Sequence, residues 1–278
     1  MHVRSTDDPQ QYLDAAAGHL ASDPVGHNVH LTVAAESARR GLSGRYWWVE
    51  HAGHVVGTAM RSDEGIPLSL GPMHDDVTVV LARAVADQAP DLDSVIGVAA
   101  TAASFAGTWA SARRTPAAPA EGQRIYRCTS VAPRTVGLTD SGWARPASDD
   151  DTDLMVEWCD QFARETHGSL GDDTTAMVEG IIEAGTGWVW EDAGEPVAML
   201  RATVPAHGVS RVGIVYTATG HRRHGHAEAL VADVTGQLLA GGVDAAMLFT
   251  QLSNPTSNAI YQRVGYEPVA EILRYQFG

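Results

Sequence analysis

The sequence contains no lysine, and all 19 of its basic residues are arginine. This bias is typical of a GC-rich genome and indicates no particular function. Cysteine is also scarce, because the chain has only Cys128 and Cys159. Two cysteines cannot form the disulfide framework of a small secreted protein, so we expect a reducing, cytoplasmic compartment.

Long apolar runs are missing as well. No segment approaches the roughly 18–20 apolar residues that span a bilayer, and the N-terminal MHVRSTDDPQ lacks the apolar core of a signal peptide. We therefore expect no membrane partner. The formal net charge of −15 argues against nucleic acid as a partner, because phosphate backbones bind clustered positive charge. An acidic chain suits a cationic acceptor, although solubility is the commoner reason for such a charge.

The composition changes near the middle of the chain. Residues 130–153 are rich in Pro, Gly, Ser, Thr and Asp, which favours a linker. The segment separates two halves that are each of ordinary domain size. We therefore predict one domain at residues 1–135 and a second at residues 140–278.

The second half shows a clear order of helical and strand patterns. Apolar periodicity and turn residues predict helix, helix, β, β, β, helix, β, helix, β. The first half repeats this order more faintly, with a helix over 9–20, a hairpin over 45–60 and later strands and helices. We therefore predict an α/β (α+β, mixed-sheet) fold with an internal duplication.

A basic turn joins the predicted strand 211–217 to the helix that follows it. Its sequence, HRRHGH at 221–226, is the densest basic segment of an acidic chain. Free N–H groups at a helix N-terminus bind phosphate, Gly225 lets the backbone approach an anion, and Arg222 and Arg223 add positive charge. The turn predicts an anion site, although an ordinary helix start with solvated arginines looks the same.

The histidines of this turn, His221, His224 and His226, also have a spacing compatible with a metal site. No cysteine or carboxylate is interleaved with them, and the two neighbouring arginines would repel a cation. We therefore expect no metal here.

A second polar segment follows the predicted strand 245–252. Asn254-Pro255 opens a helix with a cap and a first-turn proline, and along it Asn258 and Tyr261 lie one turn apart on a shared face. A lone tyrosine is most often a core aromatic, but a packing surface does not favour an asparagine beside it. This face is therefore a candidate site.

Together the two segments resemble the GNAT (Gcn5-related N-acetyltransferase) superfamily. The family's phosphate loop, (Q/R)-x-x-G-x-(G/A), is matched by Arg222-Arg223-His224-Gly225-His226-Ala227. Its later element, N-x-x-(S/A)-x-x-(L/I)-Y-x-x-x-G-(F/Y), is matched by Asn254, Ser257, Ile260, Tyr261, Gly265 and Tyr266. The resemblance covers roughly residues 143–278, and the first half matches by element order only. The resemblance implies two tandem GNAT-like domains, each a mixed, mostly antiparallel sheet flanked by helices.

The resemblance also implies acyl transfer from acetyl-CoA without a metal. Acetyl-CoA would lie where the strands 211–217 and 245–252 splay apart. The backbone of Val215, Tyr216 and Thr217 would bind its pantetheine amides. The pyrophosphate would be bound by the loop Arg222, Arg223, His224, Gly225, His226 and Ala227. Asn254 would bind the pantetheine arm, and Asn258 is a weaker candidate near the cofactor. Tyr261 would be the catalytic general acid that protonates the departing CoA thiolate.

The loop departs from the family pattern at several positions. The common Pro-Glu before it is replaced by Thr219-Gly220, a frequent glycine by Arg223, and a usual Arg or Lys by His224. We therefore expect an anion site that is weaker or pH-sensitive through histidine, with an intact backbone cradle.

The general base that a primary amine requires is not evident from the sequence. Its candidates are Glu165, His167, Glu191, His207 and Tyr216. Each is more often an ordinary surface residue than a base.

The first half lacks this chemistry at the matching places. Its counterpart of the phosphate turn, Gly71-Pro-Met-His-Asp75-Asp76, has two carboxylates that would repel a pyrophosphate although they suit a helix N-terminus. Its counterpart of the tyrosine helix, residues 102–109, contains neither Asn nor Tyr. We predict a degenerate domain without a cofactor site, which shapes the acceptor site or completes a pseudo-dimer.

These observations predict an N-acetyltransferase that transfers an acetyl group from acetyl-CoA to the primary amine of a small molecule by direct attack on the thioester. The chain would act as a monomer or a homodimer. Two alternatives stay open: a non-catalytic acyl-CoA-binding or sensor protein, and a protein or peptide N-acetyltransferase.

Overall fold

The computed structural model describes residues 1–62, 66–133, 142–166 and 173–278. Contacts between residues divide the chain into two compact units. The first unit comprises residues 1–125, 250–254 and 268–278, and the second comprises residues 126–249 and 255–267.

The first part of the chain supplies most elements of the first unit. In chain order they are β1 (His2–Thr6), α1 (Pro9–Ser22), α2 (Asn28–Arg40), β2 (Arg45–His51), β3 (His54–Arg61), β4 (Leu68–Leu70), α3 (Asp75–Gln88), β5 (Ser94–Val98), α4 (Ala99–Arg113) and β6 (Ala117–Cys128). The rest of the chain continues with β7 (Trp143–Pro146), α5 (Thr152–Thr166), α6 (Thr174–Glu183), β8 (Gly187–Asp192), β9 (Glu195–Ala202), β10 (Val209–Thr217), α7 (His226–Ala240), β11 (Ala245–Gln251), α8 (Pro255–Val264) and β12 (Glu267–Phe277).

Each unit has a mixed sheet in which a parallel pair follows antiparallel neighbours. In the first unit, β1 to β4 are antiparallel in sequence, and β4 then pairs parallel with β5. In the second unit, β7 to β10 are antiparallel in sequence, and β10 then pairs parallel with β11. A parallel pair needs a crossover connection, and α3 and α7 occupy these crossovers. The predicted mixed, mostly antiparallel sheet with flanking helices is confirmed.

The last strand of the chain belongs to the first unit. β12 pairs antiparallel with β5, with Arg274 opposite Ile96. Residues 126–128, at the end of β6, belong to the second unit. The predicted ranges 1–135 and 140–278 follow the chain order. They therefore do not include the place of β12 in the first unit or that of residues 126–128 in the second.

The predicted amphipathic helix after the basic turn forms the centre of the second unit. Leu230, Val231 and Val234 of α7 are fully buried against the sheet, and burying each such side chain is worth about 1.5–3 kcal/mol. The helix ends at Gly241, whose N–H donates to the carbonyl of Gln237 at 2.9 Å, as the Gly-Gly signal predicts.

Three elements were not predicted from the sequence: β1, α2 and β7. The strand β7 lies inside the segment assigned to the linker and pairs antiparallel with β8. The helix α2 was missed because its buried face is partly polar. Asn28, His30 and Ser37 are buried on it beside Leu31 and Ala34, so its pattern of apolar residues is incomplete. None of the described helices has the length and apolar character required to cross a membrane.

The polar face of α2 contacts a buried network in the first unit. The Tyr12 hydroxyl lies 2.7 Å from His30 Nδ1, and His30 Nε2 lies 3.1 Å from Ser69 Oγ. His27 and His30 are 2% and 1% exposed. Burial lowers the pKa of His27 to about 4 and that of His30 to about 3, so both imidazoles are neutral at pH 7.

This burial predicts a stability that depends on pH. The folded-state pKa values of His27 and His30 lie below the usual value of about 6.5, so the unfolded chain binds more protons below that pH. Each histidine then removes up to about 1.4 kcal/mol of stability per pH unit as the pH falls from 6.5 toward 4. We expect urea unfolding midpoints to fall steeply over this range.

The variant His30→Gln should be less stable at pH 7 but should show a flatter pH dependence. His54→Gln, at an exposed histidine of the same unit, is the matched control and should keep the wild-type slope. Equal slopes for all three proteins would show that these histidines are not buried in the neutral form.

Candidate active site

The parallel pair of the second unit separates soon after it begins. β10 pairs with β11 at Val209, Ser210 and Arg211, opposite residues 245–247, and no pair between these strands follows in the described structure. Farther along, β10 still pairs with β9 through Thr217. The backbone from 212 to 217 therefore has one edge without a strand partner, and such an edge can bind an extended ligand as an added strand.

A β-bulge lies within this open part of β10. Gly213 is opposite Arg201 and Tyr216 is opposite Met199, so Ile214 and Val215 share one position on β9. Ile214 has a φ of 51°, which is rare for a β-branched residue. A bulge bends its strand and changes the direction of the groups that follow. Here those groups are the predicted pantetheine-binding residues Val215–Thr217.

The basic turn lies at the end of β10, where the sequence predicted it. A 3₁₀ turn over Thr219–His221 leads to Arg222, which is extended. Arg223 then has a φ of 67°, and Gly225, the N-cap of α7, has a φ of 84°. Both are left-handed conformations that glycine adopts readily. Arg223 is not a glycine, so it holds this conformation at a cost of about 1–2 kcal/mol.

The guanidinium of Arg222 binds within the protein. Its Nε donates to the Thr217 carbonyl at 3.0 Å, its Nη2 donates to Glu165 Oε1 at 2.7 Å, and its carbon lies 5.2 Å from the centre of the Tyr216 ring. Arg222 therefore attaches the turn to β10 and α5. Its charge is offset by Glu165, so it is less available to a phosphate than the sequence suggested.

The other residues of the turn differ in exposure. Arg223 and His224 are exposed, whereas His226, the first residue of α7, is buried. The His226 Nε2 lies 3.8 Å from Asp192 Oδ2. Within the described residues, no group of three or more His, Cys, Asp or Glu side chains is placed to bind a metal ion.

Tyr261 lies on α8 and is 8% exposed. Its ring centre is 6.0 Å from that of Tyr266 and 6.4 Å from that of Tyr126. Burial raises the pKa of Tyr261 to about 12, so its hydroxyl stays protonated across the physiological range. The neutral hydroxyl therefore still carries its proton, and a role as the general acid stays a prediction.

The two predicted asparagines have different surroundings. Asn258 Oδ1 accepts a hydrogen bond from the Tyr126 hydroxyl at 2.9 Å, so it attaches α8 to the end of β6. Asn254 is exposed and directly precedes α8. A role in cofactor binding stays a prediction for both. An ion pair missed by the sequence patterns, Arg263–Glu228 at 2.5 Å, connects α8 to α7.

The candidate bases have internal partners or lie elsewhere. Glu165 binds Arg222, Glu191 Oε2 accepts from Arg145 Nε at 2.8 Å, and the Tyr216 hydroxyl donates to Gln161. His207 is exposed in the turn before β10, at the opposite end of that strand from the basic turn. His167 lies outside the described residues. The base therefore stays unassigned.

Residues 151–266 match the model of the acetyltransferase (GNAT) family. This segment is a GNAT domain. The match includes the open part of β10, the basic turn, α7 and Tyr261. A family of acetyltransferases implies acyl transfer as the general chemistry of this domain. No curated protein sequence matches the chain.

Solved structures extend the likeness over the whole chain. A GNAT-family acetyltransferase from Colwellia psychrerythraea has a TM-score of 0.60 at 12% identity, with 100% of both chains covered. A GCN5-related N-acetyltransferase from Sphaerobacter thermophilus has a TM-score of 0.62 at 17% identity, covering 99% of this chain and 95% of that one. A tandem GNAT protein from the clavulanic acid biosynthesis pathway has a TM-score of 0.58 at 14% identity, covering 99% and 98%. The fold is therefore that of tandem GNAT proteins.

The left-handed conformation of Arg223 can be tested with a matched pair of variants. Arg223→Gly and Arg223→Ala remove the same charge, but only glycine relieves the positive φ. We expect Arg223→Gly to be the more stable of the two by about 1 kcal/mol in urea unfolding. Equal stabilities, or a more stable alanine variant, would mean that this GNAT domain does not hold residue 223 in that conformation.

Proposed function

We propose that this protein is an N-acetyltransferase that uses acetyl-CoA to acetylate the primary amine of a small molecule. The observation that carries the proposal is the open edge of β10, which leads directly into the turn at Gly225 and the N-terminus of α7. An extended arm with amide groups fits the edge, and a pyrophosphate fits the free N–H groups of the helix start. CoA has both of these parts in this order.

The proposed reaction is a direct transfer. The amine nitrogen, as the free base, attacks the thioester carbonyl, so that a C–N bond forms and the C–S bond breaks. The thiolate of CoA takes the hydroxyl proton of Tyr261, and the nitrogen loses a proton to solvent or to a base. Tyr261 then regains a proton from solvent, so that no proton is consumed overall. The products are an amide and the thiol of CoA.

Burial affects both partners of this proton transfer. It raises the pKa of Tyr261 to about 12, which makes the phenol a weaker acid than in water. The same low-dielectric surroundings disfavour the thiolate and raise the pKa of the thiol. The two groups therefore remain comparable in basicity, and a buried phenol suits a buried thiolate.

We propose that the first unit binds no CoA. Its β4 is only three residues long, so no open strand edge leads from the parallel pair to α3. A methyl group at Gly97 of β5 would lie 2.9 Å from Leu70 Cβ, which shows that the two strands stay close at the end of β4. The first turn of α3 contains Asp75 and Asp76, and their charges oppose a pyrophosphate.

The acceptor is proposed from general chemistry alone. A net charge of −15 favours the approach of a cationic amine through long-range attraction. A thiol-release assay over a panel of small amines, amino acid derivatives and peptides would identify the acceptor class. Release with peptides only would overturn the small-molecule part of the proposal, and CoA binding without release for any amine would favour a non-catalytic binding protein.

Tyr261→Phe tests the role of the general acid. Removing a general acid lowers turnover by about 10²-fold or more, and the CoA dissociation constant should change little because the ring stays in place. Turnover is measured by thiol release and binding by calorimetry. Tyr266→Phe is the matched control, since this buried tyrosine bonds Thr235 at 2.8 Å and should affect stability but not turnover. Unchanged turnover in Tyr261→Phe would exclude the assigned role.

The binding stoichiometry tests the assignment of the two units. We expect calorimetric titration to give one CoA per chain, because, among the residues that the structure describes, only those of the second unit combine the open edge with the glycine turn. Replacing Gly225 by valine should abolish this binding, since a β-branched residue at a φ of 84° is strongly disfavoured. Two CoA molecules per chain, or CoA binding that persists in Gly225→Val, would contradict the assignment.

A further inference from the structure

His226 is a buried histidine without a complete set of partners. It is 3% exposed, and its Nδ1 has no hydrogen-bond partner in the described structure. A buried polar atom without a partner costs about 1–3 kcal/mol. His226 is also the first residue of α7, so this ring lies at the helix end where N–H groups are free to bind an anion.

The charged surroundings of His226 come from two elements. From the end of β8, Asp192 places a carboxylate oxygen 3.8 Å from Nε2. From the basic turn, the His224 ring lies 5.8 Å away and the His221 ring 6.4 Å away. The carboxylate favours the tautomer with the proton on Nε2. Nδ1 then carries a lone pair, which can accept a second proton.

Without an anion, this ring stays neutral at pH 7. Burial lowers the pKa of His226 most, His224 and His221 lower it further, and only Asp192 opposes them. A doubly charged pyrophosphate at the start of α7 would change this balance, because an opposite charge within a few ångströms favours the protonated form. The imidazolium would then be favoured by two anions, Asp192 and the pyrophosphate.

We propose that the binding of CoA is coupled to the uptake of one proton by His226, whose imidazolium then stabilises the pyrophosphate at the start of α7. This inference rests on the proposed function and adds a positioning residue to its cofactor site. It predicts that CoA binds more weakly as the pH rises.

The test is calorimetric titration with dephospho-CoA. This ligand keeps the pyrophosphate but lacks the phosphate monoester of CoA, which itself titrates near pH 6. Titrations at pH 7 in buffers of different ionisation enthalpy give the number of protons taken up per ligand. We expect a value approaching one for the wild type, and a dissociation constant that rises up to about tenfold per pH unit between pH 6.5 and 8.

His226→Asn keeps a neutral amide near the position of Nδ1 but cannot take up a proton. We expect it to bind about tenfold more weakly than the wild type at pH 6.5, to match the wild type at pH 8, and to take up no proton. His224→Asn is the matched control on the same turn and should keep most of the uptake. Thermal unfolding establishes that each variant is folded.

Asp192→Asn provides a second test if His226→Asn does not fold. Losing the carboxylate removes one of the two anions that favour the imidazolium, so proton uptake at pH 7 should fall. Binding at pH 8 should stay equal or become tighter, since a negative charge near the pyrophosphate is gone. A merely structural role for Asp192 would weaken binding equally at both pH values.

Two results would overturn the inference while leaving the proposed function intact. One is tight binding of dephospho-CoA by the wild type without proton uptake. The other is uptake that persists in His226→Asn and disappears in His224→Asn. An absence of any CoA binding at any pH would instead overturn the proposed function, and the inference with it.

Discussion

The second unit depends on one constraint, which is that β10 pairs with β11 over only three positions while it continues to pair with β9. A parallel strand must be followed by a crossover, and here the basic turn leads from the end of β10 at Thr217 to the start of α7 at His226. The turn therefore connects the unpaired edge of β10 to the free N–H groups of α7. In the proposed complex, an extended arm of the ligand would bind the edge and its anionic head would bind the helix start.

The first unit has the same topology but differs at the corresponding place. It has the same sequence of antiparallel strands, a parallel pair and a crossover helix. Its β4, however, is only three residues long. A methyl group at Gly71 would lie 3.0 Å from His27 Nε2. The His27 side chain therefore packs against the residue that follows β4. The duplicated framework is thus used in one unit for a buried polar network and in the other for an open strand edge.

The sequence predicted the parts of the site that have local signals. The turn at 222–227, the apolar face of α7 and the start of α8 at Pro255 all follow from periodicity, glycine and capping residues. The bulge at Ile214 was not predicted because an isoleucine with positive φ contradicts its intrinsic preference, and only the surrounding strands hold it there. The helix α2 was missed because it buries His30 and Asn28. The last strand was predicted, but its pairing with β5 was not, because pairing between distant strands leaves no local pattern.

Charge at the candidate site is arranged differently from what a count of arginines suggests. Arg222 binds Glu165 and the Thr217 carbonyl, so the most conspicuous cation of the turn serves mainly to hold its shape. The remaining positive potential comes from Arg223, from the dipole of α7 and from any histidine that becomes protonated. In a chain with a net charge of −15, a fixed excess of positive charge would be offset by the surrounding carboxylates. In the proposed coupling, a buried imidazole instead becomes charged only when an anion stabilises it. Its desolvation cost would then fall on the ligand-bound state, where the pyrophosphate would offset it.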